Sequence, residues 1–415
     1  MGSPPPILWM SPMLAGGGYS SEALGFALGL LPRLGKRFAL KQFAEQQDPN
    51  FVEGLPEAVY DAIDPAYERG ETRKMQSGIV VCHATPDAWV PSKFPGWDSI
   101  APCPPRGARY TIGRTMYETD SLPADWVTRC NAMDEVWVPT AFARDAFAAA
   151  GVAASKLVVL GEPIDTAFFD PALYKPLPLK INSRPRQSIT PLSHPFRFLS
   201  VFKWEARKGW DVLLRAYFEE FTADEPVSLH VKTRAFHSDD DFDAKIDAFA
   251  AERGLPPRAQ RPEVHVIGHE LALRGLPRLY KAVDAFVLPS RGEGWGRPHV
   301  EAMAMGLPVI ATNWSGTTAF LDDEVGYPLP YELVPVPAEH NLAGHRWAEP
   351  DVGALRRLMR RLVDHPDEAK AKGAAARERM AARFSNDALA AAAEREFARV
   401  ADVLATRREK RKEEL

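Results

Sequence analysis

Two glutamates and two lysines carry the chemistry that this sequence offers. Glu293 and Glu301 stand in EGWGRPHVE with E-x7-E spacing, and Lys203 and Lys208 bracket a turn in FKWEARKGW. An apolar run, Ala285 to Leu288, leads into the Gly-rich turn that holds Glu293, and Pro298 then opens a helix that carries Glu301. Proline suits a first helical turn because the donor it lacks would have no partner there anyway. The free amides of such a turn, together with the helix dipole, favour an anion, so a phosphate fits this junction. The lysines argue the same way, since a cation at a helix start is unfavourable unless an anion is present. That disfavours a plain basic surface cluster. A bare E-x7-E reads as a solvated loop; the flanking glycines, the proline and the apolar strand that follows make this one a ligand-facing junction.

With AMAMGLPVIAT following it, this stretch resembles glycosyltransferase family 4. Members of that family are retaining transferases of the GT-B fold, an α/β architecture of two Rossmann-like parallel-sheet domains facing across a cleft. The resemblance extends over most of the chain and implies a set of roles. Glu293 would face the donor sugar, and Glu301 would hold the ribose of the nucleotide, since a carboxylate accepts two hydrogen bonds from a vicinal diol. Lys203 and Lys208 would clamp the donor diphosphate. The family usually has Arg at the first of these places; Lys203 keeps the neutralising charge but not the bidentate fork, which the adjacent Arg207 is placed to supply. The amides of Gly294, Trp295 and Gly296 would face the same donor. Gly268 to Leu271 falls where the family reads the nucleotide base through main-chain groups, and the loop of Gly17 and Gly18 falls opposite the diphosphate.

Two residues of the first half stay open between roles. His83 follows an apolar strand in IVVCHATP; a histidine there is commonly a structural hydrogen-bonding group, but relatives often place one near the transferred sugar. Such a side chain can donate to a hydroxyl or shuttle a proton. Arg114, in GRTMYETD, reads either as a donor contact or as the partner of Glu118 or Asp120 in an internal ion pair. The three glycines at 16 to 18 let backbone amides approach a ligand, and equally make a flexible turn.

The elements that must position these residues alternate. Pro6 to Met10, Gly78 to Cys82, Arg109 to Ile112, Val136 to Val138 and Leu157 to Leu160 read as strands, separated by helical patterns such as SEALGFALGLL. Alternation of this kind argues for a parallel sheet covered on both faces, with ligands beyond the carboxyl ends of its strands. Residues 171 to 195 break every period and are dense in Pro, Ser and basic residues. A second α/β half follows, with strands at Phe196 to Phe202, Ser228 to Val231, Val264 to Ile267, Ala285 to Leu288 and Pro308 to Ala311. The expected organisation is a first domain over 1–183, a linker over 184–195 and a donor-binding domain over 196–385. A closing helix from about 386 to 415, capped by Ser385 or Asn386, would pack back on the first domain. At 415 residues, two domains are the prior.

Composition excludes several classes. A net charge of -4 gives no reason to propose nucleic acid as a partner. No run approaches the ~18 apolar residues of a spanning helix. Cys82, Cys103 and Cys130 share no metal-ligand spacing, and their odd number argues against a disulfide framework, for a reducing compartment and a cytoplasmic location. SDDDFD at 238 to 243 reads as a helix start rather than a metal site. The expected function is therefore transfer of a sugar, with retention, from a nucleotide-diphosphate sugar to a hydroxyl acceptor. It calls for no cofactor besides the donor, and no metal, because the lysines neutralise the leaving group. The alternatives are an inactive nucleotide-sugar scaffold and a GT-B epimerase or phosphorylase. Peripheral membrane contact through PRLGKRFALK, and the acceptor's identity, stay open.

Overall fold

The computed structural model describes residues 4–179, 195–235 and 241–413. Most of the expected linker, residues 184–194, and residues 238–240 of the aspartate-rich stretch lie outside that set. The chain divides into two compact units: Met1–Tyr117, Ser121–Asp165 and Ala382–Leu415 form one, Glu118–Asp120 and Thr166–Ala381 the other.

The first unit is built on a six-stranded parallel sheet: β1 (Ile7–Ser11), β2 (Phe38–Gln42), β3 (Ile79–His83), β4 (Tyr110–Arg114), β5 (Glu135–Val138) and β6 (Leu157–Val159), in the order β2-β1-β3-β4-β5-β6. The second repeats the plan with β7 (Phe196–Lys203), β8 (Val227–Arg234), β9 (Glu263–Ile267), β10 (Ala285–Leu288), β11 (Val309–Thr312) and β12 (Tyr327–Leu329), in the order β12-β11-β10-β7-β8-β9. The inner strands IVVCH, EVWV, AFVL and VIAT are buried along their whole length. At about 1.5–3 kcal/mol per buried aliphatic side chain, four such residues outweigh strand propensities that span about 1 kcal/mol. Unbroken apolar runs therefore betray these strands.

Three features differ from expectation. PRLGKRFALK holds a helix end and a strand that no pattern announces: Gly35 closes the helix Gly18–Leu34, and Phe38–Gln42 pairs parallel with β1 as an edge strand. Its polar exit, Lys41 and Gln42, hides the pattern. The region after Tyr327 holds an antiparallel hairpin, β13 (Tyr331–Pro335) and β14 (Arg346–Pro350), where only a Pro-rich excursion is legible. The boundaries also move. Thr166–Leu179 belongs to the second unit, tied by Leu177 N–H to the Arg278 carbonyl (2.8 Å) and by Arg377 to Asp170 (2.9 Å). Residues 382–385 belong to the first, through the bridge between Ile164 and Ser385.

The cysteines give a further correction. Cys82 and Cys103 are joined, 21 residues apart with Cα atoms at 5.7 Å, and both are fully buried; Cys130 is free. An odd count leaves one cysteine over but does not forbid one bridge, so the cysteine argument for a reducing compartment falls. Burial pushes the Cys130 thiol up to about 12, which makes it inert.

The closing helix Asn386–Glu413 starts with the Ala388 amide donating to Ser385 Oγ at 3.3 Å. It lies along Gly18–Leu34 in the same unit: Arg33 pairs with Asp387 (2.8 Å) and Glu394 (3.0 Å), and a Cβ on Gly29 would stand 2.4 Å from the Asn386 carbonyl. No helix among the described residues is long and apolar enough to cross a membrane.

Candidate active site

In the second sheet the chain runs from β7 outward to β8 and β9, then returns to place β10 on the other side of β7. β7 and β10 are thus neighbours whose following loops diverge, the switch point at which open α/β sheets bind ligands. Lys203 ends β7, and Lys208 closes the 3-10 turn Ala206–Lys208 before the helix Trp210–Glu220. Glu293 lies between β10 and the helix Arg297–Ala304. The two loops are braced to each other. The Arg291 amide donates to the Arg207 carbonyl at 2.6 Å, and Arg207 Nη1 donates to the Gly292 carbonyl at 2.7 Å. Gly209, at φ 65°, passes so close to β10 that a Cβ would stand 2.0 Å from the Pro289 carbonyl, so only glycine fits.

Lys208 Nζ donates to both oxygens of Glu293, at 2.7 and 2.8 Å. Arg207 adds its charge at 3.5 Å, and the Glu293 amide donates to Ser315 Oγ at 2.9 Å. Burial alone would raise the Glu293 pKa; Lys208 and Arg207 overcome it and hold the carboxyl at about 2. Burial also opposes the Arg207 charge, but Glu118, Glu293 and Glu205 outweigh it. Burial pushes the Lys203 ammonium below its ordinary range, with Arg234 acting in the same sense and Glu205 against it. Lys203, Arg207 and Lys208 thus share the loops with Glu293, Glu205 and Glu118, and Glu293 is the carboxylate that Lys208 holds.

Glu301 is buried on the helix that Gly296 caps, where Pro298 stands in the first turn as expected. It accepts from the Tyr280 hydroxyl at 3.0 Å, and burial pushes its pKa up against the opposing pull of Arg297. Gly296 has φ 113°, and a Cβ there would meet His299 Nδ1 at 2.8 Å. The expectation for Trp295 concerns its amide; its side chain is core, with the residue 2% exposed and the ring packed on Phe320 at 5.2 Å. Gly294 is buried beside it. Gly268 is exposed just past β9, on the wall of a cavity of about 1160 Å³ shared with Arg234, Phe242 and Leu271.

The first sheet has its own switch point between β1 and β3. Gly17 and Gly18 start the helix after β1, with nothing within 4 Å of where their Cβ atoms would sit. His83 ends β3 but is fully buried, so the surface role fails. Its Nδ1 accepts from Trp9 Nε1 at 3.1 Å, and its Nε2 lies 3.0 Å from a Glu22 oxygen. The indole donor fixes the tautomer, leaving Nε2 to carry the proton toward Glu22. Arg114 is also fully buried, and its ion pair is with Glu22 at 2.6 Å, not with Glu118 or Asp120. It also donates to the carbonyls of Leu160 (2.5 Å) and Gly161 (3.3 Å). Glu118 instead faces Arg207 at 3.8 Å, and Asp120 pairs with Arg346 at 2.8 Å. His83 and Arg114 are thus structural groups of the first unit.

Sequence reasoning misses Glu22, Tyr280, Ser315, Asp211 and Glu349. Only Glu22 leaves a signal, as the one acid inside the apolar helical stretch SEALGFALGLL. Among the described residues no group of three His, Cys, Asp or Glu side chains is placed to hold a metal ion.

Two six-stranded parallel sheets with these switch-point loops define an α/β protein with the fold of the GT-B glycosyltransferases. The structure of Anabaena HepE in complex with UDP and glucose matches with TM-score 0.62 at 16% identity, over 96% of this chain and 99% of that one. Sucrose-phosphate synthase from Thermosynechococcus elongatus matches with TM-score 0.62 at 17% identity, over 95% and 99%. Residues 195–343, which hold both loops, match the family model of glycosyl transferases group 1, so the second unit carries a domain of that kind. The lipopolysaccharide core biosynthesis mannosyltransferase LpsB of Rhizobium meliloti is 36% identical over 72 residues, 17% of this chain and 18% of that protein. The chain thus aligns with less than a fifth of that relative's length.

Proposed function

We propose that this protein is a retaining glycosyltransferase of family 4, moving a sugar from a nucleotide-diphosphate donor to a hydroxyl acceptor. The observation that carries the reading is the Lys208–Glu293 pair at the β7/β10 switch point, ringed by Arg207 and Lys203. As the bond from the anomeric carbon to the diphosphate oxygen breaks, its electron pair goes to the leaving phosphate. Lys203, Lys208 and the amides of Gly294 to Arg297 receive that charge where it develops. The acceptor oxygen bonds the same face of the anomeric carbon, and its proton leaves with the diphosphate. Glu293 orients the donor sugar by its hydroxyls, and Glu301, aimed by Tyr280, holds the ribose. Gly268 lies at the base.

With cations doing the neutralising, no divalent metal is needed, and transfer persists in a chelator. The crystallised complexes of HepE with UDP and with UDP-glucose make uridine donors the first to try. The test is transfer from a panel of nucleotide sugars to mixed hydroxyl acceptors. The wild type is expected to turn over at least one donor, and Lys208→Ala and Glu293→Gln to lose about 10²–10³ of the rate. Unchanged rates in both variants would overturn the reading, and donor binding without turnover on any acceptor would favour the scaffold.

A further inference from the structure

One buried cation at the switch point has no part in the transfer just described. Arg291 sits between β10 and Glu293, is 6% exposed, and spends all five of its guanidinium N–H groups. Nη1 and Nη2 grip Asp211 at 2.8 and 2.7 Å, Nε and Nη2 grip Glu349 at 2.6 and 2.8 Å, and Nη1 also donates to the Ala206 carbonyl at 2.6 Å. The guanidinium lies over the Trp347 ring, 5.4 Å from its centre. Its backbone is held as well: the amide bonds Arg207, and the carbonyl accepts from Ala348 at 3.0 Å. A guanidinium with no donor to spare does not bind a ligand. This one joins the Ala206–Lys208 turn, the start of the helix after it, the Glu293 loop and strand β14.

We infer that Arg291, locked between Asp211 and Glu349, is a positioning residue for transfer, and that the β13–β14 hairpin is through it a working part of the site. This rests on the transfer reading above. Lys208 and Glu293 come from different loops, and their 2.7 Å contact exists only while those loops keep register. Arg291 and Arg207 set that register by donating across the gap in opposite directions, Arg291 to the turn and Arg207 to the Gly292 carbonyl. A lysine at 291 cannot reproduce this, because three donors on one nitrogen do not span two carboxylates and a carbonyl. Glu349→Gln keeps the shape and removes the charge that holds one side of the fork.

The experiment compares Arg291→Lys and Glu349→Gln with the wild type, reading kcat and KM for the donor together with the melting temperature. Arg356→Gln, which breaks a half-buried pair with Glu219 and Glu220 on the helix outside the two loops, is the control. Misplacing the charges that meet the leaving group removes stabilisation made in the transition state, so kcat falls about 10- to 100-fold in both variants while KM changes less. The double variant is no worse than the poorer single one, since both cut the same link. The control keeps wild-type kcat. If Arg291→Lys does not fold, Glu349→Gln decides alone. A kcat within about twofold of wild type in the folded variants, or a loss that only tracks the folded fraction, overturns the inference and leaves the transfer reading standing. A wild type inactive with every donor and acceptor sinks both.

Discussion

Each unit buries a glutamate that cations hold at its sheet's switch point, and the two are treated in opposite ways. Glu22, in the first unit, is sealed: Arg114 and His83 take its oxygens, Trp9 closes the far side of the imidazole, and all four side chains are fully buried. Glu293, in the second, is held just as firmly by Lys208 and Arg207, but its side chain keeps 8% exposure and that of Lys208 13%. Among the described residues Lys208 hydrogen-bonds only Glu293, which leaves an ammonium donor free for a ligand. The same compensation of a buried carboxylate therefore builds a structural rivet in one place and, on the proposed function, a charged receptor in the other. What separates them is exposure: Arg114 is sealed, whereas the Lys208 side chain keeps 13%.

The comparison predicts a split between activity and stability. Lys208→Ala should lose about 10²–10³ of the transfer rate with a smaller loss of stability, because Arg207 still faces Glu293. Arg114→Met should do the reverse, costing about 3–5 kcal/mol in denaturant unfolding because Glu22 is left charged and buried. Equal stability losses in the two variants would erase the distinction. Replacing Cys82 and Cys103 by Ser should cost about 3 kcal/mol from the loop they close, again in the first unit and without a change in donor affinity.

Acid tests the same contrast more finely. Burial alone would raise the Glu293 pKa above its ordinary 4.5; Lys208 and Arg207 hold the folded value at about 2. Burial likewise works against Glu22, and Arg114 and His83 hold it below the ordinary range. Both ionised forms therefore stabilise the fold at neutral pH, and that contribution drains away as pH falls from about 4.5 toward 2. The melting temperature should drop over that window, and less steeply in Glu293→Gln, where one of the two groups no longer titrates. The smallest effect belongs to Tyr280→Phe. It removes the hydroxyl that aims Glu301, and should raise KM for the donor about threefold to tenfold with kcat nearly unchanged.

Much of this was legible beforehand, and the misses have physical causes. The buried strands announced themselves as unbroken apolar runs, and EGWGRPHVE showed the loop, the helix start and both glutamates. Hidden were partners that depend on tertiary contact. Glu22 and His83 are 61 residues apart, Arg291 and Glu349 are 58 apart, and no spacing rule connects them. His83 and Arg114 stand at strand ends, where ligand contacts are expected, yet a single acid on a neighbouring helix turned both inward. Short edge strands such as Phe38–Gln42, with polar exits, carry too little pattern to be read.

The central claim is that the β7/β10 switch point receives a nucleotide diphosphate. It is tested most directly by thermal shift with nucleoside diphosphates and their sugars on the wild type, Lys208→Ala and Arg356→Gln. At a ligand concentration of about 100 times Kd, binding adds about 2.7 kcal/mol. The account predicts a clear rise for at least one nucleotide in the wild type and in Arg356→Gln, and none in Lys208→Ala. A full rise in Lys208→Ala, or no rise in the wild type with any nucleotide, would contradict it.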